Sequence, residues 1–433
     1  MSQIVLQSNE HVGSYYAATA NDTTVRPQLD GTVEADVCIV GAGFTGLSSA
    51  LHLAEKGYKV AVLEGSRIGW GASGRNGGQI VNGYSRDMEV IEKRYGREAA
   101  VALGDMSLEG GNIIRERIEK YNIECDYKPN NVFAAFTSKQ MRELEDLKRN
   151  WATHGHDGLE LLDRSQLDEH VTSQAYIGGM IDKKGGHIHP LNLCLGQARA
   201  IESLGGRVFE MSRVEKIRKE LPKPEVETAK GKVIAKYVIV CGNAYMGKSI
   251  PELYDKTMPV STQVICTEPL GEEKCRELLP SDTCVEDCNY MLDYFRCTAD
   301  NRLIYGGGTS YGGQDPANVP AVVLPHLLKT FPQLKGVKVD YAWSGNFALT
   351  YTRIPHFGRM NDRVYYAHGY SGHGVTCSHL AGRLVAEALD GDAKRFDHFA
   401  KLPFYPLPGG QLFRVPYNVI GSWWYQMRDK LGI

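Results

Sequence analysis

The sequence predicts an α/β protein, α+β in its two-domain layout, with a Rossmann-like nucleotide-binding domain interrupted by an antiparallel-sheet domain. Three observations carry that prediction. Asp36-Val-Cys-Ile-Val-Gly-Ala-Gly-Phe-Thr-Gly46 runs on through Glu55 and closes at Lys59-Val-Ala-Val-Leu-Glu64, a complete strand–helix–strand unit. Two further segments, Tyr237-Val-Ile-Val-Cys-Gly242 and Val364-Tyr-Tyr-Ala-His-Gly369, again deliver a buried strand into a glycine turn. Between them, residues 256–310 alternate short β runs with turns.

Each part has its own logic. Val37 to Val40 is a short β-branched run suited to a buried parallel strand. Gly41 permits the tight turn, Gly43 lets backbone approach a pyrophosphate, and Gly46 lets helix and strand pack closely. Leu47, Ala50, Leu51 and Ala54 give the following helix an inward face, and Gly57 ends it. Glu64 closes the second strand where a ribose hydroxyl would be held. A glycine-dense loop follows, Ile68-Gly-Trp-Gly-Ala-Ser-Gly-Arg-Asn-Gly-Gly-Gln79. Helical spacing covers 86–121 and 138–154, and 122–136 reads as strand with a turn at Asn130-Asn131. Arg207–Lys219, Glu225–Thr228 and Val233–Val240 read as strands, and Val375–Leu389 as a helix. The tail, with Trp423-Trp424, reads as an amphipathic helix packing on its own domain. The expected division is a polar lead-in over 1–33, a discontinuous nucleotide domain over 34–120, 185–250 and 340–400, a substrate domain over 121–184 and 251–339, and a tail over 401–433.

Composition narrows the function classes. The chain has 433 residues, 42% hydrophobic and 23% charged, with a net charge of -2, so no electrostatic footprint for nucleic acid is present. No apolar stretch approaches the roughly 20 residues that span a bilayer. The first thirty residues are polar, which argues against a secretory leader; the expected setting is cytoplasmic. Ten thinly spread cysteines suit reduced thiols, and Cys284, Cys288 and Cys297 match no familiar zinc spacing, so no metal is expected.

The N-terminal fingerprint, the loop Gly71-Ala-Ser-Gly-Arg-Asn-Gly-Gly78, the turn Pro355–Gly358 and Gly369-Tyr-Ser-Gly-His-Gly374 together resemble the FAD-dependent D-amino-acid-oxidase and sarcosine-oxidase superfamily. Ser14-Tyr-Tyr-Ala-Ala18, Gly185-Gly-His-Ile-His-Pro-Leu-Asn-Leu193, Val285-Glu-Asp-Cys-Asn-Tyr290 and Gly372-His-Gly-Val-Thr-Cys377 look like its γ-glutamylputrescine oxidoreductase subgroup. The resemblance implies a Rossmann-like FAD-binding domain and oxidative deamination of a γ-glutamylated diamine, by hydride transfer from the amine carbon to flavin N5. Dioxygen would be reduced to hydrogen peroxide, with a γ-glutamylated aminoaldehyde and ammonia as the other products. The implied FAD contacts are Gly41, Gly43, Phe44, Thr45, Gly46 and Glu64, then Gly71, Ala72, Ser73, Gly74, Arg75, Asn76, Gly77, Gly78 and Gln79. Val214, at the position whose backbone meets adenine in the family, is joined by Gly242, Gly345, Gly369, Gly372, His373, Gly374 and Val375.

FAD also has a physical case over a nicotinamide. A cofactor held throughout turnover needs contacts along its length, and the second glycine loop offers N–H donors and a fixed cation, Arg75. Gly369–Gly374 precedes a helix whose N-terminus favours the negative charge of a reduced flavin, and His373 could donate a further hydrogen bond. Amine oxidation needs a neutral nitrogen, and an aromatic pocket lowers an amine's pKa by desolvation. Candidate rings are Trp70, Tyr290, Tyr294, Trp343, Phe347, Tyr351 and Tyr370; of these Tyr290, Phe347 and Tyr351 are the candidate substrate contacts. His373, Trp343 and Tyr370 are the candidate catalytic side chains.

One departure from the superfamily is informative. Its amino-acid oxidases carry Trp-x-Gly-Leu-Arg-Pro, whose arginine clamps an α-carboxylate; here Trp343-Ser-Gly-Asn-Phe-Ala348 puts Phe347 in that place. That suits an amine whose reacting end bears no acid, leaving Arg75, Arg296 or Arg353 for a glutamyl carboxylate. No cysteine lies between Trp343 and Gly358, where relatives attach flavin covalently, so non-covalent FAD is expected. A dehydrogenase of another free amine using a different electron acceptor, and a flavin-binding module without turnover, stay open, as does the oligomeric state.

Overall fold

The computed structural model describes residues 8–431 and contains two sheets. The first has the strand order His356–Asn361, Val364–His368, Gly231–Val240, Gly31–Val40, Val60–Leu63, Arg207–Phe209. Along that order four of the five neighbouring pairs are parallel, the exception being the edge strand His356–Asn361; the hairpin Val214–Arg218 and Glu225–Thr228 adds two antiparallel pairings beside Gly231–Val240. Gly31–Val40 pairs with Gly231–Val240 in a register that ends at Val40 opposite Val240, and Val240 in turn faces Tyr366. The three strands therefore finish at one edge, and the turns that follow them become neighbours there although the chain visits them far apart. Carboxyl ends of neighbouring parallel strands at a reversal of strand order are where such sheets bind ligands.

Helix Phe44–Glu55 lies over this sheet between helices Pro190–Ser203 and Gly374–Leu389. Its buried Leu47, Ala50, Leu51 and Ala54 join one core with Val37, Ile39 and Val62. The helices cross closely: a Cβ on Gly382 would come 2.4 Å from Ser48 Oγ.

The second sheet has nine strands and is antiparallel except where Cys284–Asp287 runs parallel to Lys128–Ala135. Helix Val319–Thr330 covers one face, burying Phe295, Tyr305, Val323, Leu327 and Phe331. Strand Val339–Thr350 pairs along its length with Thr257–Thr267 and so belongs to this sheet. The expected boundary at residue 340 therefore moves past Thr350, because strand pairing is a long-range property that adjacency to the Pro355 turn does not reveal. Gln79–Ile80 pairs with Gly186–His187, so the second glycine loop runs out of the first sheet's edge and into the second sheet.

Three other expectations change. The turn foreseen at Asn130-Asn131 is a bulge within Lys128–Ala135: Asn130 has φ +72 and the register shifts between Pro129 and Asn131. The lead-in is pinned into the core. Ser14 caps the short helix Tyr15–Ala18, Tyr15 donates to Asp300 Oδ1 (2.6 Å), and buried Tyr16 packs edge-on against His189 (4.9 Å) and Trp343 (5.3 Å). The tail is a helix, Gly410–Leu431, but Phe413, Tyr417, Ile420, Trp423, Trp424 and Met427 are exposed, so it does not bury its aromatic face on its own domain. Val415 packs instead against the Met258, Val260, Leu349 and Leu407 cluster. Apolar spacing identified a stripe without saying which side of the helix meets the core.

Each of the ten cysteines is a free thiol. Among the described residues no helix is long and apolar enough to cross a membrane, and no group of three or more His, Cys, Asp or Glu is placed to hold a metal ion.

Candidate active site

A cavity of about 630 Å³ opens at the carboxyl edge of the parallel sheet and is closed by residues of the second sheet. That is within the ~300–1,000 Å³ usual for small-molecule sites. Its first end is backbone. Gly41, Gly43, Phe44, Thr45 and Glu64 line it, and Gly242, Val214 and Arg213 arrive from neighbouring strands. Glu64 is fixed by two backbone donors, Ala42 N on Oε2 (2.8 Å) and Ser66 N on Oε1 (2.9 Å). Burial raises its pKa, while those two hydrogen bonds oppose the shift. Each carboxylate oxygen keeps a free acceptor site for a ribose hydroxyl.

Gly43 and Gly46 have different tasks. A Cβ on Gly46 would sit 1.9 Å from Gly41 O, so this glycine packs helix on strand and faces away from the cavity. A Cβ on Gly43 would sit 2.8 Å from Ser73 Oγ, and that hydroxyl accepts from Phe44 N (2.9 Å). The missing side chain thus lets the second glycine loop dock on the first.

The second loop lines the middle of the cavity through Gly71, Ala72, Ser73, Arg75, Asn76, Gly77 and Gln79. Asn76 ties it together, donating to Ala72 O (3.0 Å) and Ser73 O (2.9 Å) and accepting from Gly78 N (2.8 Å). Arg75 is buried; its Nε donates to Trp70 O (2.8 Å), its guanidinium lies over the Trp70 ring (4.3 Å), and its Nη2 has no partner in the protein. Trp343 Nε1 donates to Arg75 O (2.8 Å), which fixes that residue's backbone.

Gly345, packed against Arg75, and the Tyr370–Val375 turn complete the wall, with helix Gly374–Leu389 starting at that turn. The imidazole of His373 is on the cavity wall, its Nδ1 is buried without a partner, and burial lowers its pKa to about 4, so the ring is neutral. Tyr370 and Thr45 share a hydrogen bond of 2.7 Å. The remaining wall comes from the second sheet and its loops: Phe347, Tyr290, Tyr294, Thr262, Glu286, Arg86 and Arg353. Arg353 donates to Tyr290 Oη (2.7 Å).

Most of the expected residues therefore converge on one cavity, and several do not. Gly46, Gly74, Gly78 and Gly369 lie behind the wall, where a Cβ would strike Gly41 O, Gly69 O, Ile188 O and the Thr350 side chain. Trp343 is buried and is not on the wall, so it positions Arg75 and takes no place among groups that meet a substrate. Tyr351 is 43% exposed and points away, with Arg94 over its ring. Neighbours along a strand face opposite ways, and the faces of Val339–Thr350 follow from its pairing. Arg296 is spent on Gly77 O, Ile188 O, Cys297 O and Tyr16 Oη, which removes it from the candidates for a glutamyl carboxylate. Sequence reasoning missed Glu286, Arg86 and Thr262. The first sits in a motif noted only for its resemblance, and a lone acid in a strand reads as a solvent face.

The donor set fits an FAD. Arg75 Nη2 and His373 Nδ1 are buried polar atoms that the protein leaves unpaired; both residues line the cavity, His373 at the N-terminus of helix Gly374–Leu389. Glu64 stands at the second strand's end, with Val214 on the adjoining hairpin.

Comparison with known proteins agrees. Residues 36–388 match the family described as FAD dependent oxidoreductase. The chain is 58% identical over 425 residues to the gamma-glutamylputrescine oxidoreductase of Escherichia coli K12, covering 98% of this chain and 100% of that one. Among solved structures it is similar to glycine oxidase from Bacillus cereus ATCC 14579 (TM-score 0.70, 20% identity, 85% of this chain and 99% of the other). It is also similar to L-proline dehydrogenase from P. horikoshii (TM-score 0.69, 20% identity, 91% and 99%). At these identities the two structures speak for the fold alone.

Proposed function

The chain belongs to the FAD dependent oxidoreductase family, and from that premise we propose that it oxidises the primary-amine end of a γ-glutamylated diamine such as γ-glutamylputrescine. The observation that carries the reading is Phe347 on the cavity wall, in the register where amino-acid oxidases of the superfamily place an arginine. An apolar ring there receives an alkyl amine and offers nothing to an α-carboxylate. The likeness to the gamma-glutamylputrescine oxidoreductase of Escherichia coli supports the same substrate class.

Bound FAD supplies a two-electron acceptor for the amine's C–H bond. The rest falls to this chain. Arg75 and the N-terminus of Gly374–Leu389 present positive charge to the cofactor, and neutral His373 offers one ring N–H. Tyr290, Tyr294 and Phe347 exclude water around the amine and favour its neutral form. Arg353 and Arg86 line the substrate end of the wall, where a guanidinium would meet the glutamyl carboxylate. FAD is held without a covalent bond: Cys241, the cysteine on the wall, sits beside Gly41 at the pyrophosphate end, and burial keeps its thiol protonated. The products are the γ-glutamylated aminoaldehyde, ammonia and, with dioxygen as oxidant, hydrogen peroxide.

Anaerobic titration of the holoenzyme with matched free and γ-glutamylated amines tests this. γ-Glutamylputrescine should bleach the flavin at far lower concentration than putrescine, and air should then restore the colour with peroxide release. Equal bleaching by both amines would remove the glutamyl group from the account. Bleaching without peroxide would point to another electron acceptor.

A further inference from the structure

The cavity wall carries a carboxylate that neither nucleotide binding nor packing explains. Glu286 lies on Cys284–Asp287, a strand inside the second sheet. Its neighbour Val285 is fully buried in the core beneath helix Val319–Thr330, so the two-residue alternation of the strand turns Glu286 to the opposite face, where it lines the cavity. Among the described residues its side chain has no hydrogen bond or ion pair; burial and the nearby Asp182 are the influences on it.

Its place along the cavity is defined. Gln79 Nε2 reaches Val285 O (3.5 Å), and Tyr294 is Glu286's partner in the sheet register. The Tyr294 ring comes within 2.5 Å of where a Cβ on Gly77 would stand. Glu286 thus sits beside the Gly77–Gln79 end of the cradle, on the sheet that adds nothing to the Glu64 and Val214 end. Tyr290 and Tyr294 share the wall with it.

We propose that the Glu286 carboxylate docks the substrate's terminal ammonium and accepts its proton, so that the neutral amine forms inside the cavity. The inference rests on the amine-oxidising reading above. In the step an N–H bond breaks, an O–H bond forms on Glu286, and the electron pair stays on nitrogen; no oxidant or reductant is consumed. An ammonium beside an unpaired, half-buried carboxylate offsets the cost of drawing each charge out of water. Burial raises the Glu286 carboxyl to about 7, which lets acid and carboxylate interconvert near neutral pH. The site takes primary alkylammonium ions.

The test uses FAD-loaded wild type, Glu286→Gln and Glu286→Asp, each checked for its flavin spectrum. n-Butylammonium and neutral n-butanol are titrated while the flavin difference spectrum is read, and anaerobic reduction by γ-glutamylputrescine is followed in parallel. Glu286→Gln should bind n-butylammonium about 10- to 100-fold more weakly, the scale of a charged hydrogen bond, with n-butanol binding unchanged and Glu286→Asp between the two. Unaltered n-butylammonium binding in Glu286→Gln, or none in wild type, overturns the proposal. If n-butylammonium depends on Glu286 yet no amine bleaches the wild type, the ammonium site stands and the oxidation reading falls. If γ-glutamylputrescine bleaches wild type and Glu286→Gln alike, oxidation stands and Glu286 falls.

Discussion

The two ends of the cavity are built from different material. The nucleotide end is made of main chain: three glycine-bearing turns brought together by the register of Gly31–Val40, Gly231–Val240 and Val364–His368. The substrate end is made of side chains: Tyr290, Tyr294, Phe347, Glu286 and Arg353, gathered from strands and loops of the second sheet. Backbone sites tolerate little variation where a Cβ would meet main chain, as at Gly41 and Gly46. Side-chain sites can change ligand class one residue at a time while the scaffold stays intact. Substitutions at the first end should therefore disturb folding and cofactor retention together, and substitutions at the second should alter substrate choice with the flavin still bound.

The largest effect is expected from Gly46→Ala. Its Cβ would lie 1.9 Å from Gly41 O, which must shift. A loss of about 1–3 kcal/mol in stability, with the protein purifying largely colourless, is the expected result of thermal melts and the flavin-to-protein absorbance ratio. A yellow Gly46→Ala with unchanged Tm would break the contrast. Phe347→Arg comes next. An unpaired guanidinium on that wall costs about 1–3 kcal/mol, so kcat/KM for γ-glutamylputrescine should fall at least about tenfold while FAD stays bound; loss of FAD would blur the two ends.

The pH dependence of the apoprotein sharpens the same point. Glu286 is raised from 4.5 to about 7 by burial and by Asp182, while its register partner Tyr294 stays neutral, its own pKa also raised by burial. The folded state binds more protons than the unfolded between those values, so this group's contribution favours the fold at low pH and is lost as pH rises from about 4.5 to 7. Chemical denaturation across that window should show a flatter stability profile for Glu286→Gln than for wild type. Identical slopes would mean that the carboxyl is not raised. Tyr370→Phe is the mildest change. It removes the 2.7 Å hydrogen bond to Thr45, worth about 0.5–1.5 kcal/mol, and should lower Tm slightly with a near-normal flavin spectrum.

The same contrast explains what could be read from the amino-acid order. Gly41, Gly43, Phe44, Thr45 and Glu64 are legible because strand, turn, helix and acid follow one another locally, and parallel strands buried on both faces announce themselves as apolar runs. Trp343 and Tyr351 were misjudged because their direction depends on which strand pairs with Val339–Thr350, a partner some eighty residues away. Arg296 could pass for a substrate ligand until its four acceptors were visible. Glu286 was overlooked for the converse reason: alternation beside Val285 says only that it faces away from one core, and that other side is a cavity.

The interrupted layout also sets a timetable for synthesis. Strand Gly31–Val40 pairs on one side with Val60–Leu63, which is made almost at once, and on the other with Gly231–Val240, which is made much later. At ribosomal speeds of roughly 5–20 residues per second, its far edge waits on the order of 10–40 s for that neighbour. During that interval the nascent chain displays an unpaired, apolar strand edge of the kind that recruits other chains. Val364–His368 arrives later still and extends the same sheet. The cleft at the ends of these strands is therefore complete only once Val364–His368 has been made.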